Sequence, residues 1–457
     1  MGPRLGDRKV SFVKGIGSAL AFIGVLVVAA PVAAQTQEER VRKLEAQVAR
    51  MAVEMSSLKS DLVAAKGQLE DAESDQRADE LEHLIEQKTS DMVVDSKSRR
   101  SSGIDLSGYF DLEFRDDNAG DKPTEFDHHR LILKAHSDIT EVIAFDMELE
   151  IEGGGVGAGH LTSSEIIVEF AELSFRMAEL FNLKAGALLV PFNRFNLLHD
   201  SPLQDLTDRP LVNRRVIPTT WAESGVGAFG AAYWGWGSLD YDVIVANGLT
   251  DAMSASGGTR SARGSYRQDN NDNKMVIGRL GLTLDVPFLD VLNLGGSIAH
   301  GKYDDDNDHN LTMVGFDWTL KRGPFELVGE YANLDLSRGA DEVAAGIPGG
   351  MDGWYIEGRF HFFPDSWRGA NTFFTDQSTF TLVARYGEAD TDDSGTAVDF
   401  ATRGDGYRDD RHRLTLGFNF RPVESTVFKV EYQIFFEPSG IDDVDNNRFV
   451  ASFATYF

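Results

Sequence analysis

Between positions 194 and 215 the 457-residue chain gathers Arg194, Arg209, Arg214 and Arg215 with His199, and sets Asp200, Asp205 and Asp208 among them. Guanidinium groups present fixed forks that suit carboxylate or phosphate, so arginines placed around a passage would impose a field that favours anions. The same residues also suit a structural role, in which the arginines pair with the neighbouring aspartates and hold the segment's shape. A second charged set follows a period of two: Asp146, Glu148, Glu150 and Glu152 alternate with Met147, Leu149 and Ile151. On an extended strand these carboxylates share one face and would line a wall with negative charge, giving a transverse field or a preference for cations. The acidic runs Asp304-Asp305-Asp306, Asp392-Asp393 and Asp442-Asp443 offer oxygen to calcium, but without EF-hand spacing they read as solvated loops.

Catalytic patterns are missing. The ten histidines are scattered, His128-His129 would point to opposite faces of a strand, and neither a nucleophile elbow nor an HExxH helix occurs. Gly301-Lys302 would suit a phosphate loop, except that Tyr303 stands where Ser or Thr is required. No catalytic residue, metal ligand or cofactor is therefore assigned. The absence of cysteine excludes disulfides and thiolate metal sites, and a formal charge of −29 argues against nucleic acid as a partner.

The elements that would position these groups come in two kinds. Arg4, Arg8, Lys9 and Lys14 precede an apolar stretch from Gly15 to Ala30 and the small residues Ala33-Ala34, which predicts a cleaved signal peptide over 1–34. From 35 to 91 the apolar residues, Val41, Leu44, Val48, Met51, Met55, Leu58 and onward to Ala72, recur at alternating steps of three and four, the pattern of a coiled coil. A polar linker over 92–103 follows, and from Ile104 the period changes to two.

About sixteen alternating segments fill the remainder, near 104–115, 129–136, 141–152, 164–176, 181–190, 225–234, 238–247, 274–286, 290–302, 310–321, 324–336, 352–363, 378–388, 410–421, 425–437 and 446–457. Their connections alternate, imperfectly, between short and long, as the two rims of an outer-membrane barrel do. After residue 34 no apolar run is long enough for a membrane helix, so any membrane residence rests on strands. The expected architecture is an all-β transmembrane barrel of about sixteen antiparallel strands over 104–457, with a constriction loop near 191–224 and an α-helical coiled coil before it.

Several short strings carry a resemblance: Ser107-Gly108-Tyr109-Phe110, Lys184-Ala185-Gly186 through Val190-Pro191-Phe192, Ser224-Gly225-Val226-Gly227 after the arginine-rich loop, and the terminal strand ending in Phe457. Together they resemble the phosphate-selective porin O and P family and its coiled-coil-bearing relatives that transport small carboxylates. The resemblance implies a homotrimer in the bacterial outer membrane, with the coiled coil in the periplasm. It also implies passive diffusion of small hydrophilic solutes, phosphate or small carboxylates among them, and a basic constriction at Arg194, Arg209, Arg214 and Arg215. Partners would be lipid, lipopolysaccharide and, through the coiled coil, peptidoglycan. Thr455 departs from the apolar residue usual two places before the end, and the repeated basic strings of true phosphate channels are not evident. The alternatives are a cation-preferring general porin, an envelope tether anchored by the coiled coil, a trimeric adhesin, or an enzyme built on a barrel wall.

Overall fold

A strand whose side chains alternate between apolar and polar must keep its two faces in different surroundings, and a sheet leaves no unpaired edge only when it closes on itself. The computed structural model does both. It describes residues 103–117, 123–153, 165–264, 266–392, 410–436 and 446–457; the expected signal peptide, the coiled coil and the linker up to 102 lie outside the described residues.

Sixteen strands form one closed antiparallel barrel, each paired with its neighbours in sequence and the last with the first. They are β1 (Asp105–Asp117), β2 (Glu125–Asp138), β3 (Ile143–Glu152), β4 (Glu165–Ala178), β5 (Phe181–Leu189), β6 (Ala222–Trp234), β7 (Gly237–Ala246) and β8 (Met275–Leu284). The second half comprises β9 (Val291–Lys302), β10 (Asn310–Arg322), β11 (Phe325–Leu336), β12 (Gly350–Phe362), β13 (Thr379–Asp390), β14 (Asp410–Val423), β15 (Thr426–Phe436) and β16 (Arg448–Tyr456). Closure runs through Tyr109 opposite Tyr456 and Phe114 opposite Ala451, and the amide of Phe457 donates to the carbonyl of Gly108 at 3.0 Å.

The segments read from the sequence match these strands closely, apart from β2. It begins at Glu125 rather than 129, because a register shift opposite Asp111 and Glu113 interrupts the alternation. Turns of two to six residues join the strands at one rim, as at 179–180, 235–236 and 323–324, and the longest loops, 190–221 and 247–274, leave the other. The connection 363–378 breaks the rule, being long on the short-turn rim. It folds into an aromatic knot in which Trp367 stacks on Phe374 at 5.6 Å and Phe363 on Phe380 at 5.0 Å.

Outward positions carry an apolar band, with Val226, Val276, Leu280 and Ile298 all exposed. Inward positions divide the lumen in two. On the arc from β7 to β13 those nearest the long loops are apolar, and Ile244, Ile277, Met313, Leu334 and Met351 are fully buried together with Phe192, Trp221 and Leu249 of the long loops, while deeper inward positions of the same arc carry buried Asp317, Glu330, Glu357, Arg359 and Arg385. Each such apolar side chain removed from water contributes roughly 1.5–3 kcal/mol, so the long-loop end of this arc is a packed core. On β1 to β4 with β14 to β16 inward positions are mostly charged or polar, with Ile132, Val427 and Val450 as buried apolar exceptions.

Glycine shapes the wall where backbones approach closely. Gly186 in β5 holds φ at +140°, and a Cβ there would sit 2.1 Å from the carbonyl oxygen of Ala171. At Gly315 in β10 a Cβ would meet the Asn193 side-chain oxygen at 2.2 Å, so this glycine makes the seat on which the 190–221 loop rests.

Candidate functional site

The loop that leaves β5 crosses the lumen before returning to β6. Its base is closed by Asn196, whose amide nitrogen donates to the carbonyls of Val190 and Trp221 at 2.8 and 3.0 Å and whose oxygen accepts from the Trp221 amide at 2.8 Å. Asn193 takes a positive φ of 52°, which Asn tolerates better than most residues, and donates to the Tyr331 carbonyl at 3.0 Å. Buried Glu330 of β11 then clasps both arms, accepting from the Phe195 amide at 2.5 Å and from the Asn213 side chain at 2.9 Å.

The loop's aspartates bind the barrel wall rather than the loop's own arginines. Asp205 lies 3.0 Å from Arg421 of β14 and 3.3 Å from Arg359 of β12, and accepts from Asn419 at 3.0 Å. Asp208 gathers Arg115 of β1 at 2.9 Å, Arg448 of β16 at 3.4 Å, Arg413 of β14 at 3.5 Å and the Gln433 amide at 2.8 Å. Asp200 accepts from Lys134 at 2.5 Å and from the Tyr456 hydroxyl at 2.7 Å.

Burial opposes ionisation of Asp205, but Arg359 and Arg421 outweigh it; burial is likewise overcome at Asp208 by Arg115 and Arg413. Both carboxyls are held well below the ordinary range. A carboxyl depressed in the folded state stabilises above its unfolded value of about 3.9 and ceases to do so only as pH falls through the lower folded value. The loop is therefore expected to stay docked, and single-channel conductance to stay constant, from neutral pH down to about pH 4. Stepwise opening near pH 5 would contradict the anchoring.

With the aspartates engaged elsewhere, the loop's arginines face a polar cavity of about 520 Å³ between β1–β3, β16 and the loop. Seven arginines line it: Arg209, Arg214 and Arg215 from the loop, Arg260 from the 247–274 loop, and Arg115, Arg130 and Arg448 from the wall. Six carboxylates share it, Glu113, Asp117, Glu125, Asp127, Glu152 and Asp208. Arg209 donates to the Thr219 carbonyl and to the Thr220 hydroxyl, and Arg215 to the carbonyls of Ser256 and Gly257 at 3.3 and 3.5 Å. Donation to carbonyls orients these side chains. Arg214 is exposed within the cavity lining. Arg194 lies outside that lining, on the short helix Asn193–Leu197 packed against β9 and β10. Three of the four arginines singled out in the sequence thus converge, and the fourth does not.

The acidic residues of β3 face inward and pair across to β2. His136 meets Asp146 at 2.6 Å, Lys134 meets Glu148 at 3.0 Å, and Arg130 meets Glu150 at 3.0 Å and Glu152 at 3.6 Å. Their charge is largely compensated in place. The wall arginines carried a signal in the sequence, since Arg115 shares the inward parity of Asp111 and Glu113, but their convergence on Asp208 depends on long-range register.

No known protein-family profile matches the chain. It is 28% identical over 273 residues to an uncharacterised protein of Aquifex aeolicus (strain VF5), the match covering 56% of this chain and 61% of that one. The chain therefore spans less than two thirds of the length of that relative. Among solved structures it is similar to the outer-membrane porin OmpF of Salmonella typhi in complex with daunomycin, with a TM-score of 0.50 and 10% identity, covering 79% of this chain and 99% of that one. It is also similar to the anion-selective porin from Comamonas acidovorans, with a TM-score of 0.47 and 12% identity over 78% of this chain and 99% of that one. The first of these likenesses establishes the fold, a porin-type barrel of sixteen strands.

Proposed function

We propose that the chain is an outer-membrane channel through which small hydrophilic solutes diffuse, with a preference for anions such as phosphate or small carboxylates. The observation that carries this reading is the cavity of about 520 Å³ bounded by seven arginines, at the place where the 190–221 loop narrows the lumen. Fixed guanidinium groups aimed into a low-dielectric passage raise the local concentration of anions and orient planar oxyanions. The acidic wall of Asp146, Glu148, Glu150 and Glu152 favours cations less than its composition suggests, because His136, Lys134 and Arg130 stand against it. The apolar band facing outward supports placement in a bilayer. The finer kinship, to the phosphate-selective porins O and P with an N-terminal coiled coil, rests on the short strand motifs. Assembly as a homotrimer rests on the heptads of 35–91 standing beside a porin-like barrel, and the periplasmic coiled coil with any hold on peptidoglycan rests on the heptads themselves.

The test is osmotic. Liposomes carrying the purified chain are expected to swell in isotonic acetate or phosphate faster than in a sugar of similar size. Absence of swelling in every solute would overturn the channel reading and favour a tether.

A further inference from the structure

Beneath the floor of the cavity four buried side chains from two strands and the loop meet. Glu148 of β3, Glu169 of β4, and His199 and Asp200 of the loop are each at least nine-tenths buried. The ligand-capable atoms of Glu148, His199 and Asp200 all lie within 4.8 Å of one another, and His199 Nε2 is 3.0 Å from Glu169 Oε1. Glu169 reaches this point through a β-bulge: Glu148 pairs with Phe170 and Leu149 with Val168, so Glu169 is the extra residue. Bulges re-aim side chains in this way, commonly beside functional sites.

Hydrogen bonding within the cluster leaves the inward atoms open. Lys134 takes the outer oxygens, at 2.5 Å from Asp200 Oδ2 and 3.0 Å from Glu148 Oε2, and Tyr456 also donates to Asp200 Oδ2. Glu148 Oε1 and both oxygens of Glu169 are buried without a well-formed hydrogen bond, and the groups beside Glu169 are the His199 ring, the Thr220 hydroxyl and the Glu148 carboxyl. Nδ1 of His199 lies 2.9 Å from the carbonyl of Asn196, to which it can only donate. In the neutral ring Nε2 then carries a lone pair, and it points at a carboxylate oxygen. Two acceptors facing each other in a buried site need a proton or a metal ion between them. A ring nitrogen fixed by donation to a backbone carbonyl is the usual support of a metal-bound histidine. With all three carboxyls ionised, one ammonium would leave two negative charges for a metal ion to offset, with Arg130 engaged by Glu150 and Glu152.

The geometry points to a binding site for a first-row divalent metal ion of the zinc and manganese class, held by Glu148, Glu169, His199 and Asp200. Four donors including an imidazole suit such an ion, whereas calcium requires more oxygens. Ligands around a tetrahedral zinc ion stand roughly 3.3 Å apart, close to the His199–Glu169 separation. His199 also lines the cavity, which gives the ion its path. Bound there, the ion fastens the loop to β3 and β4.

The test reads metal rather than current, so it stands apart from the channel reading. The full chain, folded in detergent and stripped with chelator, is titrated with Zn²⁺ alone by calorimetry beside E169Q and H199Q. About one equivalent should bind, undisplaced by excess Ca²⁺, with affinity at least roughly tenfold weaker in each variant. Co²⁺ added to the unaltered chain should give the visible absorption of a low-symmetry nitrogen and oxygen site, a readout that needs no variant. Lack of stoichiometric Zn²⁺ binding, of that absorption, or of any difference between the chain and its folded variants would overturn the proposal and leave His199 as an imidazolium paired with Glu169.

Discussion

Replacing Asp208 with alanine is expected to raise single-channel conductance by about twofold or more, because it frees the loop from the wall at the point where a single charge holds the most partners. Arg115, Arg413 and Arg448 all converge on this carboxylate, and the Gln433 amide completes its shell. Removing one member of a buried ionic cluster leaves the others uncompensated, at a cost of roughly 3–5 kcal/mol. The barrel strands do not depend on that cluster, so the cost falls on loop docking. Thermal unfolding of the barrel should shift little while the open-channel current rises and grows noisier. Unchanged conductance in the folded variant would show that Glu330 and the apolar packing around Trp221 suffice to hold the loop.

The second large effect concerns charge. Changing Arg209, Arg214, Arg215 and Arg260 together to alanine removes four of the seven arginines and none of the six carboxylates of the cavity. At about 4 Å one guanidinium is worth roughly 1 kcal/mol, about a fivefold factor, to a passing anion even in water-like surroundings, so losing four should lower the anion-to-cation permeability ratio by at least roughly tenfold. Under a salt gradient the reversal potential should change sign. Arg194→Ala alone should leave it in place, since that side chain lies outside the cavity lining. A reversal potential insensitive to all four substitutions would move selectivity to Arg115, Arg130 and Arg448 of the wall.

Much of the barrel is legible in the sequence because alternation is a local property. Ile143 to Glu152 declares both faces of β3 without reference to any other strand. Legibility fails where a face depends on distant partners. Inward Met275, Ile277, Leu311 and Met313 of β8 and β10 are apolar, like the outward neighbour Val276, because they join loop residues Phe192 and Trp221 in one buried cluster. Read locally they suggest only a weakly patterned strand. The arginines of the loop could be paired or open, and the choice turned on Asp205 and Asp208 finding wall partners more than 90 positions away in the chain. Arg115 and Arg448 could be placed on the lumen face by parity, yet nothing local shows that they share one carboxylate. Glu169 is the extreme case: a bulge carries it against Glu148 and His199, and bulges leave almost no trace in composition.

The central claim is a place: the aqueous path runs between β1–β3, β16 and the loop, and the arc from β7 to β13 is closed. The chain has no cysteine, so single substitutions report unambiguously. D127C and T207C lie on the proposed path, A299C and A332C on the closed side. Each variant is recorded in a planar bilayer before and after a charged, membrane-impermeant methanethiosulfonate reagent. Loss of current at the first pair and none at the second is the predicted result; block at Ala299→Cys or Ala332→Cys, or a current indifferent to modification at Asp127→Cys and Thr207→Cys, would contradict it.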